Sequence, residues 1–515
     1  MSQFTLKRRH VILGMAAATA TGFLPSIAFG QDANPKPGGT LKISHSTRIA
    51  TLNPLTLSGP AEYPCIDMLY SRLTRIGLDS QPHPDLAERW EASQDATQFT
   101  YYLRSGVTFH DGTPFTADDV VATYEAILNP DIPAAASSVV NMVKKVEALD
   151  DTTVRFTLSS PFADLPFSTA HANTCILSRK ALEGDLAQLE TKANGTGPFK
   201  LEVYDSARMV RLAKNENYFV EGKPYLDGVD MMLFPDLAAE SANFLSGTTD
   251  VMLTVQQADF QRIASSTGIE AKRVNSGRYV CVAMRQDAEP WNDVRVRKAL
   301  SMAIDRPLLV DMLLEGLGRP AYDSLVAPEL QFATEKPEIA YDPEGARALL
   351  AEAGYPDGIS VKLVASDRPA IRSQTAIAIQ QTTAAAGFNI EIETMPHDTY
   401  LANVWMKGPF YIGYWGMQPT IDETYNLLLT SNASYQDTEW KNEEFDALIA
   451  AGRETTDEAK RAQIYADAQA LELRDTPYIV PFFEDVLTAS SDKTNEWQVA
   501  PISRYFYVEN VWLDR

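Results

Sequence analysis

The stretch from Asp342 to Ile392 alternates helix, strand, helix and strand, and a β-α-β run of this kind is compatible with few folds. Asp342 and Pro343 supply a helix cap and a proline in the first turn, Ala346, Leu349, Leu350 and Ala353 form one apolar face, and Gly354 ends the pattern. A strand follows at Ile359, Val361 and Leu363, then a helix from Ile371 to Ala386, then a strand at Ile390 and Ile392. Parallel strands joined by a crossover helix form a right-handed unit whose sheet is covered by helices. Ligands of such sheets gather at the carboxyl ends of the strands. Upstream, the helix after Asp293 turns Val296, Leu300, Ala303 and Ile304 inward, and Asp305-Arg306-Pro307 restarts it.

The grammar before residue 278 differs. Between about 64 and 183, Phe99, Tyr101 and Leu103 alternate with polar neighbours, as do Val154, Phe156 and Leu158, which predicts antiparallel strands in a separate α+β unit. At this length a single core stops growing, so two or three compact units are expected. No internal repeat is present, and the short Asn34–Gly39 leader is the only linker-like segment. The chain is therefore expected to cross back and forth between its units.

The first thirty residues read as an export signal. Arg8 and Arg9 precede an apolar stretch from Val11 to Ala28, broken by Gly14, Thr19, Thr21 and Gly22, and small residues at Ala28 and Gly30 suit cleavage before Gln31. The paired arginines resemble the twin-arginine route, although Val11 stands where that motif usually has Phe, so the general secretory route stays open. No cysteine follows the cleavage region, and a periplasmic protein without a lipid anchor is expected. Removing residues 1–30 takes away three basic and no acidic side chains, leaving 42 Lys and Arg against 68 Asp and Glu, a net charge of −26. Nucleic acid is a poor partner for such a surface. Cys65, Cys175 and Cys281 lie far apart. One disulfide is possible, but three buried thiols are the simpler reading.

Catalytic arrangements are missing. The sequence has no HExxH pair, no GxSxG elbow and no P-loop, and none of the six histidines stands at metal-ligand spacing from another. His110-Asp111 resembles a base with its orienting acid, but Asp-Gly-Thr-Pro is turn chemistry, and Thr116 caps the helix that follows. No enzyme, cofactor or metal is expected. Aromatic residues are denser than usual between Trp405 and Tyr425, where six occur in 21 residues. A strand from Phe410 to Met417 would set Phe410, Ile412 and Tyr414 on one face and Tyr411, Trp415 and Met417 on the other. The turn after it offers backbone and rings to a small ligand, or is an ordinary turn after a core strand.

Several long segments together resemble the extracytoplasmic solute-binding proteins of ABC importers in the dipeptide, oligopeptide and nickel family. They are PDLAERWEASQDATQFTYYLRSGVTFHDGTPFTADDVVATYEAI at 84–127, GTGPF at 195–199, NDVRVRKALSMAIDR at 292–306, YDPEGARALLAEAGY at 341–355 and TPYIVPFF at 476–483. The resemblance implies an α/β, two-lobed periplasmic-binding-protein fold of type II, hinge-linked, with an α+β domain inserted in lobe one. Carried onto this chain, lobe one is 31–63, 184–277 and 480–515, the insertion is 64–183, and lobe two is 278–479, with hinge strands near 275–280 and 476–482. It also implies a monomer that holds a peptide or peptide-sized polar solute between its lobes and delivers it to the permease subunits of an inner-membrane importer. An exported enzyme, or a metal-chelate or haem carrier of the same fold, is the alternative.

The resemblance also points to site residues. Peptide binders of the family carry an acid three positions after the tryptophan of a W-x-x-D motif, where it pairs with the peptide ammonium. Trp415 is present here, but the matching residue is the neutral Gln418. Either Asp422, one turn further on, substitutes for that acid, or the solute has no free α-ammonium, as in an opine-like conjugate. The expected lobe-two contacts are Tyr414, Trp415, Gly416, Met417, Gln418, Thr420 and Asp422. Arg285 is a further candidate, for a carboxylate, and Arg48, Asn53 and Tyr63 are candidates from lobe one.

Overall fold

The computed structural model describes residues 35–57, 59 and 61–514, so the export-signal reading falls outside the described residues. Two long strands organise everything else. Ile269–Met284 has 16 residues and Tyr478–Ser491 has 14, and they run antiparallel along their length. At roughly 3.4 Å per residue a strand of this length covers about 50 Å, enough to belong to two lobes at once.

On one side of this pair, an eleven-stranded sheet continues through Val251–Met252, Thr40–His45, Gly228–Leu233, Met209–Lys214 and Phe199–Asp205. Thr40–His45 is parallel to both of its neighbours. On the other side come Phe410–Trp415, Ile359–Ser366 and Phe388–Met395. The last two are parallel, with Ile359 opposite Phe388 and Ser366 opposite Met395, and the helix Ile371–Thr383 connects them. This is the β-α-β unit expected from the sequence. Asp342 caps the helix Pro343–Glu352 by accepting from the Gly345 N–H at 2.8 Å, and Ala346 and Leu350 are fully buried beneath it. Val296, Leu300, Ala303 and Ile304 are also fully buried.

A separate four-stranded antiparallel sheet, Ala87–Ala92, Gln98–Leu103, Thr153–Leu158 and Val143–Asp150, forms the insertion. Phe99 faces Phe156 and Tyr101 faces Val154 across its centre, and Tyr124 of the helix Ala117–Leu128 meets Phe156 edge-on at 4.8 Å. The FHDGTPF segment has a structural task. Asp111 accepts from the Thr113 N–H at 3.0 Å, closing the turn, and Asp119 accepts from the Thr116 N–H at 2.9 Å at the helix start. His110 meets the GTGPF segment on both ring nitrogens: Nδ1 accepts from the Gly195 N–H at 3.3 Å, and Nε2 lies 3.1 Å from the Gly197 carbonyl. Only the neutral imidazole protonated on Nε2 satisfies both contacts, and burial lowers its pKa to about 4. His110 therefore joins two segments far apart in sequence.

Packing does not follow the chain boundaries neatly. Ile76, Phe167 and Ala170 of the insertion, and Ala500, Ile502 and Tyr505 of the C-terminal tail, share a cluster with Tyr425, Trp440 and Phe445 of lobe two. Trp497, Val499 and Phe506 belong to the lobe-one core instead. The C-terminal tail thus packs on both clusters. All three cysteines are buried and unpaired. Among the described residues, no helix is long and apolar enough to cross a membrane.

Candidate functional site

The ladder between the two long strands breaks where the lobes meet. Val274 pairs with Val486 and Arg278 with Glu484, so Asn275, Ser276 and Gly277 stand opposite Asp485 alone. A second irregularity sets Cys281 against Val480 and Pro481. At the first bulge, Gly277 donates its N–H to the Met417 sulfur at 3.2 Å. A Cβ on Gly277 would come within 2.5 Å of the Ala327 Cβ and 3.0 Å of the Met417 Cγ, so only glycine allows this close approach. The loop after Trp415 therefore rests directly on this bulge.

Three strands of lobe two end at this edge: Ile359–Ser366, Phe388–Met395 and Phe410–Trp415. Carboxyl ends of parallel strands are where ligands of such sheets bind. The hydroxyl of Ser366 lies 3.0 Å from His397 Nδ1 and accepts from the Arg368 N–H at 3.2 Å. Phe410–Trp415 divides its faces as the alternation predicts. Phe410, Ile412 and Tyr414 pack on one cluster, and Tyr411, Trp415 and Met417 pack on the other. The half-buried Trp415 meets Trp405 at 6.1 Å and Tyr435 at 5.4 Å, making a three-ring wall. Behind it, burial raises the Asp437 carboxyl to about 6, opposed by the hydrogen bond it accepts from the Tyr411 hydroxyl and by the charge of Arg372.

Tyr414 lies between two arginines. Burial raises its hydroxyl to about 12, Arg278 and Arg372 act against that shift, and Glu484 adds to it. Arg278 is paired with Glu484 at 3.3 Å. Arg372 lies over the Tyr400 ring at 5.2 Å and the Tyr414 ring at 5.8 Å.

The other expected residues are distributed unevenly. Gly416 has open space where a Cβ would stand, and Gln418 is 9% exposed with its amide donating to the Gly416 carbonyl at 3.3 Å. Thr420 caps the helix Ile421–Leu428 through the Glu423 N–H at 3.0 Å. Asp422 does not substitute for the missing acid. It is 1% exposed, receives Arg453 at 3.1 Å and Asn426 at 2.9 Å, and points into the protein. Arg285 is not at this edge either. It follows Met284, six residues beyond the Tyr279 that pairs with Trp415, about 20 Å along the strand. Its guanidinium is held by Asp287 at 2.7 Å and Glu439 at 3.6 Å.

From lobe one, Arg48 is exposed and donates to Ser206 at 2.9 Å. Asn53 is buried in its own turn, accepting from the Leu55 N–H at 3.0 Å, and Tyr63 packs on the lobe-one core. Among the described residues no contact joins these three to the Trp415 edge. Sequence reasoning missed Arg278 and Arg372. Arg372 was within reach, because it opens the helix that follows a strand already assigned, at the edge where ligands of such sheets gather.

A two-lobed binding protein is the class that the fold defines. The sequence model described as "Bacterial extracellular solute-binding proteins, family 5 Middle" matches residues 81–438, and the chain belongs to that family. It is 26% identical to the glutathione-binding protein GsiB of Salmonella typhi over 512 residues, covering 97% of this chain and 98% of the relative. Among solved structures, AgaA from A. tumefaciens R10 in complex with agropinic acid is 25% identical, with a TM-score of 0.74 over 93% of this chain and 99% of AgaA. The murein tripeptide-binding protein MppA, in its unliganded open form, is 19% identical and superposes with a TM-score of 0.81 over 93% of this chain and 97% of MppA. The chain is an extracytoplasmic substrate-binding component of an ABC import system, not an enzyme. Its partners are a small solute and a membrane permease.

Proposed function

We propose that the chain captures a peptide-sized polar organic solute at the carboxyl edge of lobe two and closes lobe one over it by bending at residues 275–277 and 480–481. The observation that carries this reading is the contact of Met417 with Gly277. The loop expected to touch solute also touches the hinge bulge, so a ligand that moves the loop acts on the hinge without an intermediary. The lobe boundaries of the sequence reading, a monomeric state and cleavage before Gln31 belong to the same proposal. N-terminal sequencing of the exported protein reads the cleavage point. GsiB is named for glutathione and AgaA was solved with agropinic acid, and both names fit a solute larger than a single amino acid.

Mass spectrometry of whatever co-purifies with the protein tests the reading directly. Small-angle scattering of protein stripped of that solute and then resaturated should show a smaller radius of gyration. An unchanged radius at saturation would make the protein a rigid scaffold.

A further inference from the structure

We infer that Arg372, together with the Tyr414 hydroxyl, is a carboxylate-binding subsite, and that the solute is an organic anion. This inference rests on the receptor reading above. Five arginines are buried among the described residues, and four have obvious partners. Arg72 pairs with Asp67, Arg306 with Asp323 and Arg461 with Asp164, while Arg297 donates to the carbonyls of Trp291, Asp475 and Thr476. Arg372 is 8% exposed, yet its Nε and Nη1 have no hydrogen-bond partner and no carboxylate of the described residues pairs with it. A buried guanidinium without partners is costly and persists where a further group completes it.

The surroundings suit an anion. Arg372 is the second residue of the 13-residue helix Ile371–Thr383, whose first turn no side chain caps, and an arginine there leans back toward the positive end of the helix. The Tyr400 hydroxyl is occupied by the Ile412 carbonyl at 2.8 Å, but the Tyr414 hydroxyl makes no hydrogen bond among the described residues. Arg278, the second arginine acting on Tyr414, has an unpartnered Nε of its own. Asp437 acts on Arg372 only at longer range, beyond ion-pair distance; its Oδ1 accepts from Tyr411 and its buried Oδ2 has no hydrogen-bond partner among the described residues. Arg372, which has no carboxylate partner, and Arg278, which is paired with Glu484, thus both act on one phenol that makes no hydrogen bond among the described residues, in a chain of net charge −23. A carboxylate placed there would accept from the Arg372 fork and from Tyr414.

The test offers the purified, stripped protein yeast extract supplemented with glutathione and agropinic acid, once untreated and once with carboxyl groups converted to methyl esters. Mass spectrometry then identifies what is retained. The inference expects retention of carboxylic acids from the untreated mixture, at least tenfold less from the esterified one, and loss of this preference in Arg372→Gln with partial recovery in Arg372→Lys. Should Arg372→Gln fail to fold, Tyr414→Phe and the esterified arm on the wild-type protein decide the matter. Equal retention from both mixtures, or a retained solute without a carboxylate, overturns the inference and leaves the receptor reading standing. Retention of nothing from either mixture counts against the receptor reading, and the inference falls with it.

Discussion

Arg461 and Arg372 are buried to almost the same degree, 7% and 8% exposed, and each lies over two aromatic rings, but they are opposites in their polar partners. Arg461, on the helix Glu458–Asp475, donates to Asp164 of the insertion at 2.6 Å and to the Gly452 carbonyl at 3.2 Å. Arg372 has no such partner. Where a buried charge has its complement inside the protein, it fastens one part of the fold to another. Where it has none and stands at a strand-end edge, it is available to something from outside. Burial alone therefore does not separate structural charges from functional ones, whereas partnering does.

The first way to break this comparison is to remove Arg461. Arg461→Ala leaves the Asp164 carboxyl buried without its partner, and losing one member of a buried pair costs about 3–5 kcal/mol. Urea denaturation should show that loss, whereas Arg372→Met should leave stability within about 1 kcal/mol of wild type. Equal losses in the two variants would mean that Arg372 also has a structural partner.

The second acts on the site wall. Trp415→Ala removes a ring packed on Trp405 and Tyr435, and it should cost about 2 kcal/mol in binding of the co-purifying solute, roughly thirtyfold in affinity. Calorimetric titration measures the loss, and circular dichroism checks the fold. An unchanged affinity would show that the three-ring wall is only core.

Much of this was legible in the sequence, for identifiable reasons. The β-α-β run, the caps at Asp342 and Asp305, and the two faces of Phe410–Trp415 are local patterns, in which periodicity and capping chemistry act over a few residues. Trp415 and its loop were singled out by aromatic density and then by motif resemblance. Partnering was not legible, because it depends on residues brought together from afar. The matches of Asp422 with Arg453 and of Arg285 with Glu439, across 31 and 154 positions, occupy inside the protein two candidates that the family resemblance had suggested. The lack of a match at Arg372 has no sequence signature at all.

A third prediction sharpens the paired side of the comparison through pH. Burial raises the Asp422 carboxyl to about 7 despite Arg453, above the ~3.9 of an unfolded aspartate. Between those values the folded state holds a proton that the unfolded state has released, so stability falls as pH rises. For one group the slope reaches at most about 1.4 kcal/mol per pH unit, and it vanishes above about pH 7. Urea midpoints between pH 5 and 8 should therefore decline in wild type and decline less steeply in Asp422→Asn, where Glu423 and Asp437, raised by burial to about 7 and about 6, still contribute. Parallel profiles for the two proteins would show that Asp422 is ionised throughout, held so by Arg453.

The smallest effect is expected at Gln418, where the neutral side of the comparison can be charged by design. Gln418 is 9% exposed and its amide holds only the Gly416 carbonyl, at 3.3 Å, so the shorter aspartate fits without displacing a packed neighbour. With the neutral residue in place, nothing in this loop offsets a peptide ammonium, and unmodified dipeptides should bind wild-type protein weakly. Gln418→Asp supplies the missing charge in a partly solvated position, where an ion pair is worth about 0.2–1 kcal/mol, so dipeptide affinity should rise only a few-fold. The same carboxylate should weaken the native solute by a similar factor if that solute is an anion held at Arg372. Calorimetry with Ala-Ala, N-acetyl-Ala-Ala and the co-purifying solute separates these effects. Tight binding of unmodified dipeptides by the wild-type protein would break the reading of Gln418 and return the site to ordinary peptide capture.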